Sequence, residues 1–309
     1  PRPAGSTRRG GLAGAWRRLA AAGRRAAGVR AEAETLRLAT YNVENYTTAD
    51  RLTADGYKLG YPKPETEKAA LRAVIVGLQA DVLALQEMGG PPYLEELQRD
   101  LRADGLDYPF ARVLEAADAD RHVALLARRA PRRVVAHTDL TFPYFGGREK
   151  VKRGLLEVTF ATARGEVTLF IVHLKSRLTD RPDDPQSALR RAAEAVAVRD
   201  AVLSRFPDPA SARFVILGDC NDAPRSRTVR SLLQRGKTEV ALLLPATDSR
   251  GETWTHFYRA EESYSRIDYL LVSPGLAGAV AGGTARIYDA PETRSASDHR
   301  PVTLTLNLE

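Results

Sequence analysis

Cysteine occurs once in the 309 residues, as Cys220. That excludes an intramolecular disulfide framework, and a lone thiol fits a reducing compartment and an exported protein alike. No apolar run approaches the ~18 uninterrupted residues of a membrane span, so a soluble globular chain is expected. Cysteine and histidine never cluster at zinc-site spacing. The body of the chain also lacks net charge. The formal total is +7, yet residues 1–31 hold eight arginines and no lysine or acid, leaving 38 bases against 39 acids downstream. Bulk attraction of the body to nucleic acid is thereby excluded. Any phosphate affinity must come from local placement.

Residues 1–34 are mostly Ala, Gly and Arg, with arginine pairs at 8/9, 17/18 and 24/25. Such a leader suits a solvated tail, an amphipathic helix or a remnant of a targeting segment. Ala31-Glu32-Ala33 resembles a cleavage site, but the arginines interrupt any apolar stretch before it. We expect a disordered tail or targeting remnant over 1–34 and one domain over 35–309. At 43% hydrophobic, that body can bury a large core, and no linker, repeat or composition break divides it.

Strand-like runs are many, among them "LRLATYNV", "DVLALQE", "VTLFIVHL", "RFVILGD" and "IDYLLV", several apolar on both faces. Helical patterns are fewer. "PETEKAALRAVIVGLQ" puts Leu71, Val74, Ile75 and Leu78 on one stripe. "DDPQSALRRAAEAVAVRDAVLSRF" has Asp184 as N-cap, Pro185 in the first turn, and Leu189, Ala192, Ala193, Val196 and Leu203 on the buried side. "PPYLEELQRDLR" and "PRSRTVRSLLQR" are shorter. Many strands with helices between only some of them predict two packed sheets with helices outside.

Polar residues stand where the apolar runs stop. Asn42 and Glu44 end one run, His173 and Lys175 another, Asp219 and Asn221 a third. Residues i and i+2 of a strand share a face, so each pair is predicted to face one place. Glu87 ends a fourth run, Asp268 opens a fifth, and Asp298-His299 precedes the last. Singly, each has a plain reading: a turn residue for Asp and Asn, a satisfied sheet histidine for His173, a solvated Lys175. Six together point to a carboxylate-rich site whose hard oxygens suit Mg²⁺, Mn²⁺ or Ca²⁺. Histidines and a lysine beside such an ion point to phosphate chemistry. His122, His137 and His256 lack such partners and read as structural. Cys220 is expected to face the core.

The segments "TYNVEN", "LQE", "HLKS", "GDCND", "RIDYLLVS" and "SDHRPV" together resemble the endonuclease/exonuclease/phosphatase superfamily, the metal-dependent phosphoesterases that include deoxyribonuclease I and apurinic endonucleases. The likeness spans residues 36–308. It implies a four-layer α/β/β/α sandwich with its site at one edge of the paired sheets. It also implies that Asn42 and Glu87 bind metal, with Glu44 and Asp298 as further ligands, and that Asp219 orients or deprotonates water. Asn221 would hold a phosphate oxygen, His173 would donate to one, and His299 paired with Asp268 would stabilise developing charge or act as base. Lys175 has no universal counterpart in the family and enters only from its spacing. Arg153 is taken as a phosphate contact among the arginines of the body, and Cys220 departs from the bulkier residues common at its position.

Three functions compete: a phosphodiesterase acting on nucleic acid, a hydrolase of inositol phosphates or sphingomyelin, and an inactive interaction module. Filled ligand positions count against the third. The second is weakened because "ILGDCNDAP" and "YSRIDYLLVS" depart from the inositol-phosphatase motifs, and no exposed aromatic hairpin for a membrane is evident. A monomeric, Mg²⁺-dependent nuclease is therefore the expectation.

Overall fold

Runs that are apolar on both faces need cover on both sides, and the chain supplies it with two sheets packed face to face. The computed structural model describes residues 34–53, 55–179 and 181–308. The expectation of a tail over 1–34 thus lies outside the described residues, apart from Glu34. The sheet strands are β1 Thr35–Tyr46, β2 Val82–Met88, β3 Phe110–Leu114, β4 His122–Ala127, β5 Arg133–His137, β6 Leu155–Thr162 and β7 Gly165–His173. They continue as β8 Phe214–Asp219, β9 Leu242–Leu243, β10 Ala246–Thr247, β11 Asp268–Val272, β12 Ala285–Ile287 and β13 Val302–Asn307. One sheet runs β10-β12-β13-β1-β2-β4-β3 and the other β9-β11-β8-β7-β6-β5. Both are mixed: β1–β2 and β7–β8 are parallel, whereas β1–β13 and β8–β11 are antiparallel.

Side-chain alternation divides the apolar residues between layers. Leu36 and Leu38 of β1 meet Leu169 and Ile171 of β7 between the sheets. Tyr41 and Val43 face outward to helices α1 Glu65–Leu78 and α2 Pro91–Ala103. On the far side Phe170 and Ile216 pack on α3 Ala188–Arg205 and α4 Arg227–Leu233. The result is the four-layer α/β/β/α sandwich that the sequence implies. No described helix is long and apolar enough to cross a membrane.

The stripe expected on α1 is buried in full. On α3 it holds in part: Ala192 and Leu203 are buried as expected, but the stripe as a whole is displaced. Leu189 is 47% exposed, while Arg190, Arg191, Glu194, Ala195, Val198 and Val202 are buried. The first half of this helix covers polar loops rather than the core, so its inner face is charged. Asp184 does cap it, accepting from the Leu189 and Arg190 amides at 2.8 and 3.0 Å. Cys220 is buried in the outer core under α3 and α4, as expected.

A second difference concerns aromatic hairpins. The two-stranded ribbon Ala49–Tyr61 holds Leu52, Tyr57 and Leu59 at 83%, 66% and 76% exposure, and the ribbon His256–Ser265 holds Tyr258 and Tyr264 exposed. Period-two alternation gives the first ribbon one uncovered face, whereas in the second Tyr264 shares a face with Phe257 and Tyr258 points to the other. These hairpins correct the expectation that none is exposed.

Candidate active site

Strand register puts three expected residues in one row. His173 ends β7, its parallel neighbour Asp219 ends β8, and Asp268 begins β11 opposite Asp219. All three are buried. Gly218 makes room for the row: its φ is 141°, and a Cβ there would stand 1.9 Å from the Val172 carbonyl oxygen. The other sheet contributes Asn42 from β1 and Glu87 from β2. Asn42 Nδ2 donates to Asp219 Oδ2 at 3.1 Å, so the two sheets are bonded to each other at the site.

Around this bond the remaining groups assemble. Asp219 also accepts from the Asn221 amide at 2.7 Å and from Asn221 Nδ2 at 3.1 Å. His173 Nε2 lies 3.6 Å from Asp219 Oδ2 and 3.9 Å from Glu87 Oε1. His299 Nδ1 meets Asp268 Oδ2 at 2.9 Å, and its Nε2 points toward Asp219 at 3.9 Å. The Thr255 hydroxyl donates to the same Asp268 oxygen at 2.7 Å. Glu44 Oε2 accepts the Asp298 amide at 3.0 Å, and Asp298 Oδ1 lies 3.9 Å from His299 Nε2.

Convergence does not come from strand alternation alone. Lys175 and Asn221 lie beyond the ends of β7 and β8. Glu44, Glu87 and Asn221 sit in the left-handed region at φ 47°, 61° and 52°, and the β1–β2 register shifts between Asn42 and Tyr46. Such kinks cost non-glycine residues on the order of 1–2 kcal/mol each and are held here by side-chain bonds such as Asn45 N–H to Glu87 Oε2 at 3.0 Å. Lys175 is not brought in: its ammonium turns to Ser176 Oγ at 3.2 Å and to the Leu178 carbonyl. Asn221 spends its side-chain N–H groups on Asp219 and on the Leu174 carbonyl. It orients Asp219 in this arrangement.

Arg153 is buried, its Nε 2.8 Å from Asp118 Oδ2, and its charge acts on His173. Two residues escaped the sequence reading. His256 Nε2 lies 3.6 Å from Asp298 Oδ2, and its ring is 4.6 Å from that of His299, which corrects its assignment as purely structural. Arg121, at the foot of β4, donates to Asn45 Oδ1 at 2.7 Å. His256 stands at the end of no apolar run, and Arg121 only precedes one, the buried strand His122–Ala127. His137, bonded to Glu157 at 2.9 Å, and buried His122 do stay structural.

Burial first, and Asp268 second, push the Asp219 carboxyl up to about 7. Burial and then the Asp298 charge do the same to Glu44. His173 is held well below the usual histidine range by burial and then by Arg153. For His299 burial works toward the neutral ring, but Asp268, Asp219 and Asp298 together outweigh it and raise the ring well above that range. One neutral and one cationic imidazole thus flank a carboxyl poised near neutrality. Among the described residues, the acids and histidines whose ligand atoms come together are His256, Asp298 and His299, and Asp219, Asp268 and His299. Asn42, Glu44 and Glu87 offer the hard oxygens a divalent cation takes, but Glu44 and Glu87 belong to neither group. Glu44 and Asp298 repel each other unless a positive charge lies between them.

The sequence profile of the Endonuclease/Exonuclease/phosphatase family matches residues 39–299. Among solved structures, the fold is similar to sphingomyelinase C of Streptomyces griseocarneus at 20% identity, covering 89% of this chain and 100% of that one, with a TM-score of 0.61. An endonuclease/exonuclease/phosphatase of Beutenbergia cavernae is also 20% identical, over 89% of this chain and 72% of its own, with a TM-score of 0.57. The human nocturnin catalytic domain is 17% identical over 89% and 95%, with a TM-score of 0.58. At these identities the likeness speaks for the fold. No curated protein sequence matches the chain. With its profile match over most of the chain and its row of strand-end acids and histidines, this protein belongs to the Endonuclease/Exonuclease/phosphatase family of divalent-metal-dependent phosphoesterases.

Proposed function

We propose that the protein hydrolyses phosphodiesters of nucleic acid by in-line attack of water, with Mg²⁺ as its cation. The observation that carries this reading is the Asp268–His299 pair, 2.9 Å apart and beside Asp219. Asp219, poised near neutrality, takes the proton of the attacking water. His299, kept cationic by Asp268, stabilises charge on the phosphoryl oxygens or protonates the leaving group. Neutral His173 donates to a phosphoryl oxygen, and Arg153 supplies a fixed positive charge behind it. Asn42, Glu44, Glu87 and Asp298 would hold the cation, which would supply charge neutralisation at the phosphate.

Nucleic acid is favoured over other esters by Arg259 and Arg294, exposed beside Asp298. A phospholipid diester is the second reading, and the exposed Leu52, Tyr57 and Leu59 favour it. A panel of plasmid DNA, oligo-RNA, a chromogenic phosphodiester and sphingomyelin vesicles, each with Mg²⁺, Mn²⁺ and Ca²⁺, separates them. Cleavage of sphingomyelin but of neither nucleic acid would reject the nuclease reading. Glu87→Gln is expected to lose divalent binding in a titration while keeping the fold. Unchanged affinity would misplace the cation.

A further inference from the structure

A cleft of about 320 Å³ opens directly against Asp298, and none of the roles above uses it. Its walls are Trp254, Phe257 and Tyr264 together with Arg259, Arg294 and Arg300. The volume is at the lower end of the ~300–1,000 Å³ typical of small-ligand clefts, suited to one ring-sized group.

The cleft is fastened to the catalytic residues. The Phe257 amide donates to the Asp298 carbonyl at 2.9 Å, and the Arg300 amide donates to the Thr255 carbonyl at 2.6 Å. Between these bonds His256 and His299 pair as an isolated bridge. The ribbon His256–Ser265 and the segment that carries His299 therefore form one short ladder, with Phe257 one residue from His256.

The floor is rigid. Arg300 is buried, its guanidinium 3.4 Å beneath the Trp254 ring and its Nη1 2.8 Å from Asp248. The rim is open. Tyr264 is 55% exposed, its ring 4.7 Å from both Trp254 and Phe257. Arg259 and Arg294 are exposed and form no ion pair among the described residues. The Arg259 charge also reaches Glu44.

Aromatic faces beside free guanidinium groups are what a nucleobase and its neighbouring phosphate require. A lipid surface suits this cleft poorly, because the turn of the ribbon carries Arg259, Glu261 and Glu262, all exposed, and charge is costly in hydrocarbon.

We propose that the cleft receives one unpaired base next to the scissile phosphate, stacking it on Tyr264 and Phe257 while Arg259 and Arg294 hold the adjoining phosphate. This rests on the nucleic-acid reading of the same site and adds a preference to it: a single strand over a duplex, whose bases stay in their own stack.

The test compares kcat/KM on a single-stranded oligonucleotide, its duplex and a small chromogenic phosphodiester. The wild type is expected to favour the single strand over the duplex by at least tenfold. Tyr264→Ala is expected to lose at least tenfold more on the oligonucleotide than on the small diester, chiefly through KM, and Tyr264→Phe to restore most of it. Replacing Arg259 and Arg294 by Ala should flatten the log–log salt dependence by roughly 0.7 for each lost contact. Equal losses on both substrates, or equal cleavage of duplex and single strand, would overturn the cleft assignment while leaving the nuclease reading intact. A wild type that cuts no nucleic acid, yet hydrolyses sphingomyelin vesicles and loses that activity in Tyr264→Ala, would overturn both.

Discussion

At His299 two tendencies oppose each other. Burial disfavours the imidazolium, while Asp268 at 2.9 Å, with Asp219 and Asp298 beyond it, favours the charge more strongly. Asp268 in turn is fixed by the Thr255 hydroxyl. His299→Ala and Asp268→Ala are each expected to cost about 10² or more in turnover, the usual scale for a positioned acid–base or charge-stabilising group. The double mutant should cost far less than the product of the singles, because the pair acts as a unit. Multiplicative losses in steady-state kinetics would separate them. The same groups set a pH dependence of stability in metal-free protein. Asp219 and Glu44, both near 7, and raised His299 each hold protons more tightly folded than unfolded. Their contributions are therefore present at low pH and lost as pH rises through the folded values. His173, depressed by burial, works the other way, but only below its ordinary value near 6.5. Metal-free melting temperature is thus expected to fall most steeply just above pH 6.5. Added Mg²⁺ should flatten that fall by compensating the ionised carboxylates, and thermal melts across pH 6–8 with and without the ion check this.

Helix α1 shows what was legible at the scale of elements. Its stripe of Leu71, Val74, Ile75 and Leu78 faces a sheet, so hydrophobic period alone locates it. Helix α3 obeys a different requirement. Arg191 donates to the Gln186 carbonyl at 2.9 Å and pairs with Asp222 at 3.2 Å, while Glu194 accepts the Lys175 amide at 2.7 Å. These bonds brace the loops that follow His173 and Asp219, and apolar periodicity carries no trace of them. Strand-end acids announced most of the site, because each interrupts an apolar run. The left-handed turns at Glu44, Glu87 and Asn221 were unreadable, since no glycine marks them. So was the diversion of the Lys175 ammonium. The cap of α3, in contrast, was visible as Asp184 and gives a direct prediction. That carboxylate is fully buried and also accepts the Tyr144 hydroxyl at 2.9 Å. Asp184→Ala is expected to destabilise the fold by about 2 kcal/mol, the upper range for a lost cap, and Tyr144→Phe by about 1 kcal/mol. Urea unfolding of both variants measures this, and a change below about 0.5 kcal/mol for Asp184→Ala would deny the cap its role.

Over the whole molecule, charge is divided unevenly along the chain. Residues 1–31 contribute eight positive charges, whereas the remainder, holding every residue of the site, is within one charge of neutral. Two sources of phosphate affinity are therefore separable. On the proposed reading, local placement of Arg259 and Arg294 at the cleft would set where a phosphodiester is cut, since Arg153 is buried against Asp118. On the same reading, the basic leader would add sequence-independent attraction that grows with polymer length and weakens with salt, because each neutralised phosphate releases counterions. A small diester spans too few charges to feel it. Deleting residues 1–31 is accordingly expected to leave kcat/KM on a chromogenic diester within about twofold, while lowering affinity for long DNA. The slope of log affinity against log salt should also become shallower, by ~0.9 for each phosphate the leader neutralises on duplex DNA. Binding titrations from about 50 to 200 mM salt measure that slope. An unchanged slope would mean that the eight arginines do not engage nucleic acid. A matching loss on the small diester would mean that the leader acts on the site itself rather than on the polymer.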